Sequence, residues 1–488
     1  MPDDAEPGNP QTRLSTRTSA PSLAAGRTPA VPVILVVLTS LIGTLLILSH
    51  WTRGRAYLDQ MRFHEQVIRT FGIQWPRPDL HDYASATTPG YHLALTAFGH
   101  WFNGSRTTLQ FVSLGISLAL VWLFGSAIAR RAAARGIDWP TALAVALPFV
   151  LSPYVIMSDA WLLPDNAGWL GVLFMLLLAL RPQYRWIDAL AGGLVLAALV
   201  FTRQNHLWCA GLIWLWSWLA SGPFDRWSLN QLLARSYERM VGAAWAVVFS
   251  LPAFAIVAYF FKLWQQGLTP PHFRDQHAGG NAATPAFSFS LIALYSMFFV
   301  AWLWPALVRL WREQRLLVIA TAAAGLVVAI IPETTYLREP RSSGLWNIVK
   351  FLDDHKLTIA GRTSPLILLL SPIGAICLAA WLSLLNARDR AIFLAALAGF
   401  TIAQSFNANA WQRYLEPMFL IVLALMAAGS PPSSDAWSHR LRPFRLAGPA
   451  LLSVILAAAT IHLLTQDMEP EWRKTYEMQA AIDPMVVR

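Results

Sequence analysis

Long apolar runs and short polar connectors alternate along this chain. Runs approaching the roughly 20 residues that a helix needs to cross a bilayer fall near 31–50, 107–129, 139–157, 162–180, 187–202, 205–220 and 243–261. Others fall near 287–310, 315–333, 364–385, 390–406, 411–428 and 446–465. The pattern predicts an all-α, polytopic membrane protein with about thirteen transmembrane helices. The apolar stretch from Thr88 to Phe102 is too short to be counted among them. It is expected to lie as a surface helix in the first outer loop, 51–106.

The connectors differ in charge, and the difference sets a topology. One alternate set holds Arg130, Arg131 and Arg135, then Arg181 and Arg185, then Arg226, Arg235 and Arg239. It continues with Arg309, Arg312, Arg315, Arg388, Arg390, Arg440, Arg442 and Arg445, and the N-terminal Arg13, Arg17 and Arg27 share its side. The positive-inside rule makes this side cytoplasmic. The other connectors, 51–106, 262–286, 334–363 and the tail from 466, are longer and more acidic and fall outside. Residues 1–30, rich in Pro, Ser, Thr, Ala and Arg, read as a disordered cytoplasmic tail. Residues 31–465 then form the membrane domain and 466–488 an outer-face tail.

Composition sharpens this picture. Of 488 residues, 56% are hydrophobic and 13% charged, about half the charge expected of a soluble chain. The net charge of +10 comes from bases scattered between apolar runs, so it reflects topology and argues against nucleic acid as a partner. Cys209 and Cys377 both lie in apolar segments and offer neither a disulfide framework nor metal-ligand spacing.

Unusual polar residues gather on the outer side. Asp59 and His64 follow the first run, Asp159 and Asp165 open the fourth, and Arg203-Gln204-Asn205-His206 interrupts an apolar stretch. Arg274-Asp275-Gln276-His277 lies in a later outer loop, with Arg413 and Glu416 at the twelfth run. An arginine embedded in apolar sequence is costly unless a partner satisfies it. Such a set suits a sugar donor joined to a polyprenyl phosphate, whose leaving group is an anion held at the membrane surface. Arg203 and Arg413 would bind the phosphate through forked hydrogen bonds. Asp59 would take the proton of the acceptor hydroxyl, with Asp165 and Asp275 as the other candidate carboxylates. His64, Gln204, Asn205 and His277 are candidate substrate-binding residues. No cofactor is required. A divalent metal would use Asp59, Asp165 and Asp275, although their spacing does not call for one.

At these residues the chain resembles the GT-C glycosyltransferases, and among them the dolichyl-phosphate-glucose α-1,2-glucosyltransferases. The family carries Tyr-Met-Asp-Glu-Ile-Phe-His after its first helix. Here Tyr57-Leu58-Asp59 and Phe63-His64 match with one residue inserted, and Gln60 stands for the second acid. Thr87-Thr88-Pro89-Gly90-Tyr91 is similar to the family's Thr-Thr-Pro-Pro-Gly and following aromatic. Leu163-Pro164-Asp165-Asn166-Ala167-Gly168 resembles Tyr-Thr-Asp-Val-Gly, and Phe201-Thr202-Arg203-Gln204-Asn205-His206-Leu207-Trp208 resembles Phe-Arg-Gln-Thr-Asn-Ile-Ile-Trp. Asp275-Gln276-His277 and Gln412-Arg413-Tyr414 are similar to later motifs.

The resemblance implies a glycosyltransferase, specifically a hexosyltransferase. It would take a sugar, glucose in the family, from a polyprenyl phosphate to a glycolipid or glycan acceptor by inverting displacement. The Arg- and Ala-rich composition points to a bacterial relative in the inner membrane, among membrane lipids, with its site facing the periplasm. Two other classes share outer-face charge: an O-antigen ligase or polymerase, and a transporter or flippase of lipid-linked sugars. The first usually keeps its site in one large late loop. The second needs charge near the midplane of several helices.

Overall fold

In a computed structural model, residues 29–102, 104–222, 224, 228–277, 279–335, 344–430 and 436–466 are described. The expected N-terminal tail and nearly all of the C-terminal tail lie outside these residues, as do Arg226 and 336–343 of the connector 334–363. Among the described residues every regular element is a helix, and there is no strand. A helix is found at each of the thirteen apolar segments. Six are long and apolar enough to cross a membrane: Ala30–Leu48, Arg106–Ala134, Tyr237–Leu263, Thr284–Glu313, Pro365–Ser383 and Leu441–Thr465. The segment expected at 139–157 is not one straight helix. It divides into Trp139–Val150 and Pro153–Ala160, bent by 68°, and as one span would make seven. Ser152 and Pro153 explain the break, because the proline cannot donate to the preceding turn while the Ser152 hydroxyl accepts from Tyr154 N–H and caps the new helix.

The other expected crossings are shorter or more polar, such as Asp165–Ala179 with 15 residues and Trp186–Thr202 with 17. Enclosure by protein is extensive in Asp165–Ala179, which has no exposed residue, whereas Trp186–Thr202 keeps Trp186, Ile187 and Leu194 exposed. Gln412–Gly429 is the extreme case, with every residue buried except Arg413. The outer helices show the reverse. In Ala30–Leu48 the stripe Val31, Leu35, Thr39, Gly43 and Ile47 packs inward at four-residue steps. Val37, Leu41, Leu45 and Leu48 form the opposite stripe and stay more than half exposed. Apolar side chains on both faces suit a helix with protein on one side and lipid on the other.

Small residues let backbones close on one another. Gly193 meets the Phe249 backbone and Gly374 the Phe289 backbone so closely that no Cβ would fit. Much of the connector charge is also used locally at one end of the bundle. Arg131 Nη2 pairs with Asp389 at 2.8 Å, Arg181 Nη1 with Asp188 at 2.8 Å, and Arg388 Nη2 donates to the Ala179 carbonyl at 3.0 Å. The Arg388 bond satisfies a carbonyl in the last turn of Asp165–Ala179, where a cation is favoured.

Candidate functional site

The segment after the first span is built by a change of helix register. Arg55–Asp59 is α-helical, Gln60–His64 is a π turn, and Glu65–Ile73 is α-helical again. Glu65 N–H reaches back to the Gln60 carbonyl, five residues earlier. In an α-helix the fifth residue on points away from the first; in the wider π turn it returns to the same face. Asp59 and His64, five apart, therefore line one cleft together. Gln60 faces the other way and is fully buried. Its side-chain Oε1 accepts from Leu162 N–H at 3.0 Å and Gln110 Nε2 at 3.2 Å, and its Nε2 donates to Glu65 Oε2 at 3.0 Å. Glu65 is in turn held by Arg106 at 2.6 Å. Gln60 thus braces the first outer segment against the residues leading to Asp165.

Two other motif segments dock on each other. Thr88 N–H donates to Gln204 Oε1 at 3.0 Å, and the Thr88 hydroxyl donates to the Val200 carbonyl at 2.7 Å. Gln204 Nε2 donates to the Ala86 carbonyl at 2.9 Å and the Leu268 carbonyl at 2.7 Å. A Cβ on Gly90 would lie 2.5 Å from the Phe201 carbonyl oxygen, so only glycine permits this approach. Gln204 is accordingly a clamp on the 85–88 loop and does not itself line the cleft.

At the centre four charges alternate. Arg413 Nη1 bonds Asp59 Oδ2, and Arg413 Nη2 lies 3.6 Å from Asp165 Oδ2. Arg203 Nη1 bonds the other Asp165 oxygen at 2.5 Å. The guanidinium carbons of Arg203 and Arg413 lie 4.9 and 5.5 Å from the Tyr414 ring centroid. These residues come from a π-helical junction, a helix N-terminus, a helix C-cap and the first turn of Gln412–Gly429. The four charges sum to zero, which makes their burial tolerable.

The cleft encloses about 470 Å³ of empty space, counted out to open solvent, and is lined by Asp59, His64, Arg203, His277 and Arg413 among others. Asp165 is absent from the lining and stands behind the two arginines. His64 Nδ1 is 2.9 Å from Nε2 of the fully buried His92, whose own Nδ1 has no partner. An orphaned lone pair is tolerated better than an orphaned N–H. The favoured arrangement therefore has His92 Nε2–H donating, which leaves the His64 proton on Nε2. Burial first, and the Arg413 charge second, push the His64 imidazole down to about 3, so both rings are neutral.

The remaining expectations divide. Asp275 is exposed and outside the cleft, and among the described residues no three His, Cys, Asp or Glu side chains gather to hold a metal. The trio Asp59, Asp165 and Asp275 is therefore not assembled. Asn205 is also outside the lining, with its buried side-chain oxygen unpartnered. Sequence reasoning did not anticipate the bracing role of Glu65, the Tyr414 ring, or the network around Glu416. Glu416 accepts from Ser152 Oγ at 2.6 Å, Tyr295 Oη at 2.6 Å and Gln412 Nε2 at 2.7 Å. Gln412 Oε1 also caps the helix Leu345–Asp354 at Leu345 N–H, 2.7 Å away. Adjacency to His64 and Arg413 was the available signal for Glu65 and Tyr414. Comparison of the chain with family models and with curated protein sequences finds no match.

Proposed function

We propose that the chain is a GT-C-type glycosyltransferase. In this reading it moves a sugar from a polyprenyl-phosphate donor to a glycolipid or glycan acceptor at the outer face of a bacterial inner membrane. The observation that carries the reading is the meeting of Asp59, Arg203 and Arg413 in one cleft, from positions up to 354 residues apart in the chain. Two guanidinium groups side by side suit a phosphate monoanion or dianion. Arg413 keeps a buried Nε with no hydrogen-bond partner, an unfilled donor beside the cleft. The positive-inside rule would put the arginine-bearing connectors in the cytoplasm, and hence the cleft on the periplasmic side.

The step balances as follows. The acceptor hydroxyl gives its proton to the Asp59 carboxylate as its oxygen bonds to the anomeric carbon. The bond from that carbon to the phosphate oxygen breaks, and its electron pair leaves on the phosphate. Arg203 and Arg413 stabilise that charge. Asp59 suits the base better than Asp165 because it opens to the cleft while Asp165 is enclosed. The test is transfer by purified protein from defined polyprenyl-phosphate sugars, comparing wild type with Asp59→Asn. Loss of about a hundredfold or more in transfer with donor binding retained is the expected result. Wild-type transfer that Asp59→Asn leaves intact would remove Asp59 from the chemistry. Absence of transfer from every donor would overturn the reading.

A further inference from the structure

Five aromatic rings form a continuous arc along the cleft. Phe63 and Phe273 have centroids 5.3 Å apart, Phe273 and His277 6.0 Å, His277 and Trp411 5.7 Å, and Trp411 and Tyr414 5.2 Å. All five line the cleft, and they come from three separate segments: the π turn, 273–277 and 411–414. The arc ends on Tyr414, the ring over which both arginines sit. The cleft also has polar walls, in Ser85, Thr87 and Gln276. Ser85 Oγ and Thr87 Oγ1 are 3.1 Å apart, and the Thr87 carbonyl is held by Tyr83 Oη at 2.7 Å, so this wall is ordered by its own hydrogen bonds.

Resting on the function proposed above, we infer that this aromatic arc is the sugar subsite, placed next to an arginine subsite for the phosphate. A pyranose has C–H faces that stack on aromatic rings and a rim of hydroxyls that needs polar partners. A cleft with ring walls and hydroxyl or amide side chains matches both surfaces. A polyprenyl chain would use the rings but not Ser85, Thr87 or Gln276, and it already has the bilayer as solvent. The phosphate at Arg203 and Arg413 would thus put the attached sugar against Tyr414 and Trp411, with Asp59 beside the anomeric carbon.

The experiment compares two ligands, a polyprenyl phosphate and the same lipid bearing a β-linked glucose, for binding to the full chain in lipid nanodiscs. The variants are Trp411→Leu and Phe273→Leu, two sites so that a folding defect at one leaves the other informative. Each should weaken the sugar-bearing lipid by about tenfold, the upper range for one aromatic contact, and leave the bare lipid phosphate unchanged. Equal weakening of both lipids would overturn the inference and give the arc to the polyprenyl chain. No weakening of either would overturn it as well. The underlying reading fails separately, if wild type binds neither lipid or if Arg203→Gln binds both as well as wild type does.

Discussion

Asp165 offers the strictest test of how the site is held together. Among the described residues it is the one carboxylate paired with both arginines, bonding Arg203 at 2.5 Å and lying 3.6 Å from Arg413. The side chains of Asp165 and Arg203 are only 4% and 9% exposed, so solvent screens their pairing little. Asp165→Asn leaves Arg203 buried without an anion and should cost about 3–5 kcal/mol of stability. Arg203→Gln should cost a similar amount for the converse reason. The double variant removes the orphaned charge, so its loss should fall short of the sum by about 2 kcal/mol, roughly thirtyfold in the folding equilibrium. Unfolding of all four proteins in one detergent, followed by circular dichroism, gives the cycle. A polyprenyl phosphate supplies a separate arm. If phosphate takes over the role of the lost carboxylate, it should raise the melting temperature of Asp165→Asn more than that of wild type. Additive losses to within about 0.5 kcal/mol would refute the coupled network, whatever the fate of activity.

Three further outcomes follow from the same geometry. His64 is neutral when folded and takes a proton only when unfolded, so its stabilisation is present above pH 6.5 and is lost as pH falls toward about 3. The slope should reach at most about 1.4 kcal/mol per pH unit and shrink in His64→Gln; an unchanged slope would contradict it. Gln204→Ala removes three hydrogen bonds from the 86–88 and 268 loops. It should cost about 2 kcal/mol and raise donor KM more than it lowers kcat, whereas a pure kcat loss would argue against a clamp. Deleting Arg62 should convert the π turn to α-helix while keeping Asp59 and His64 on one face. Transfer should survive that deletion and be lost on inserting one residue at the same place; equal loss in both would refute the register argument.

Much of the fold was legible because apolar length is a local property. Each expected segment carries a helix, and the short Thr88 to Phe102 stretch appears as the 13-residue helix Gly90–Phe102. The bend at Ser152-Pro153 was less so, since the apolar run continues across it. The site was legible as a list and not as an arrangement. Arg203 stood out because charge in apolar sequence is costly, and Asp59 and Arg413 because unusual polar residues gather on one side. The separation of Asp59, open to the cleft, from Asp165, enclosed behind it, depends on burial that no single segment encodes. Asp275 shows the limit: its loop reaches the cleft through Phe273, Gln276 and His277, while the acid faces away on a four-residue helix. Asp59 and His64 are five residues apart, a spacing that an α-helix would split between faces, and the π turn that brings them to one cleft is not written in the local sequence.

The charge alternation also orders events, on the proposed function. Arg413 is engaged by Asp59 and Asp165, so in this reading Asp59 is an ion-pair partner as well as a base. An incoming phosphate brings negative charge to Arg413 and Arg203 and competes with Asp59 for the same N–H groups. Asp165 can remain on Arg203 throughout, keeping that arginine in place while Arg413 changes partners. Release of Asp59 then depends on donor binding, and an acceptor hydroxyl meets a free carboxylate only when a leaving group is already seated. A neutral His64 fits this scheme, because a second cation beside Asp59 would hold the carboxylate back after Arg413 had let it go.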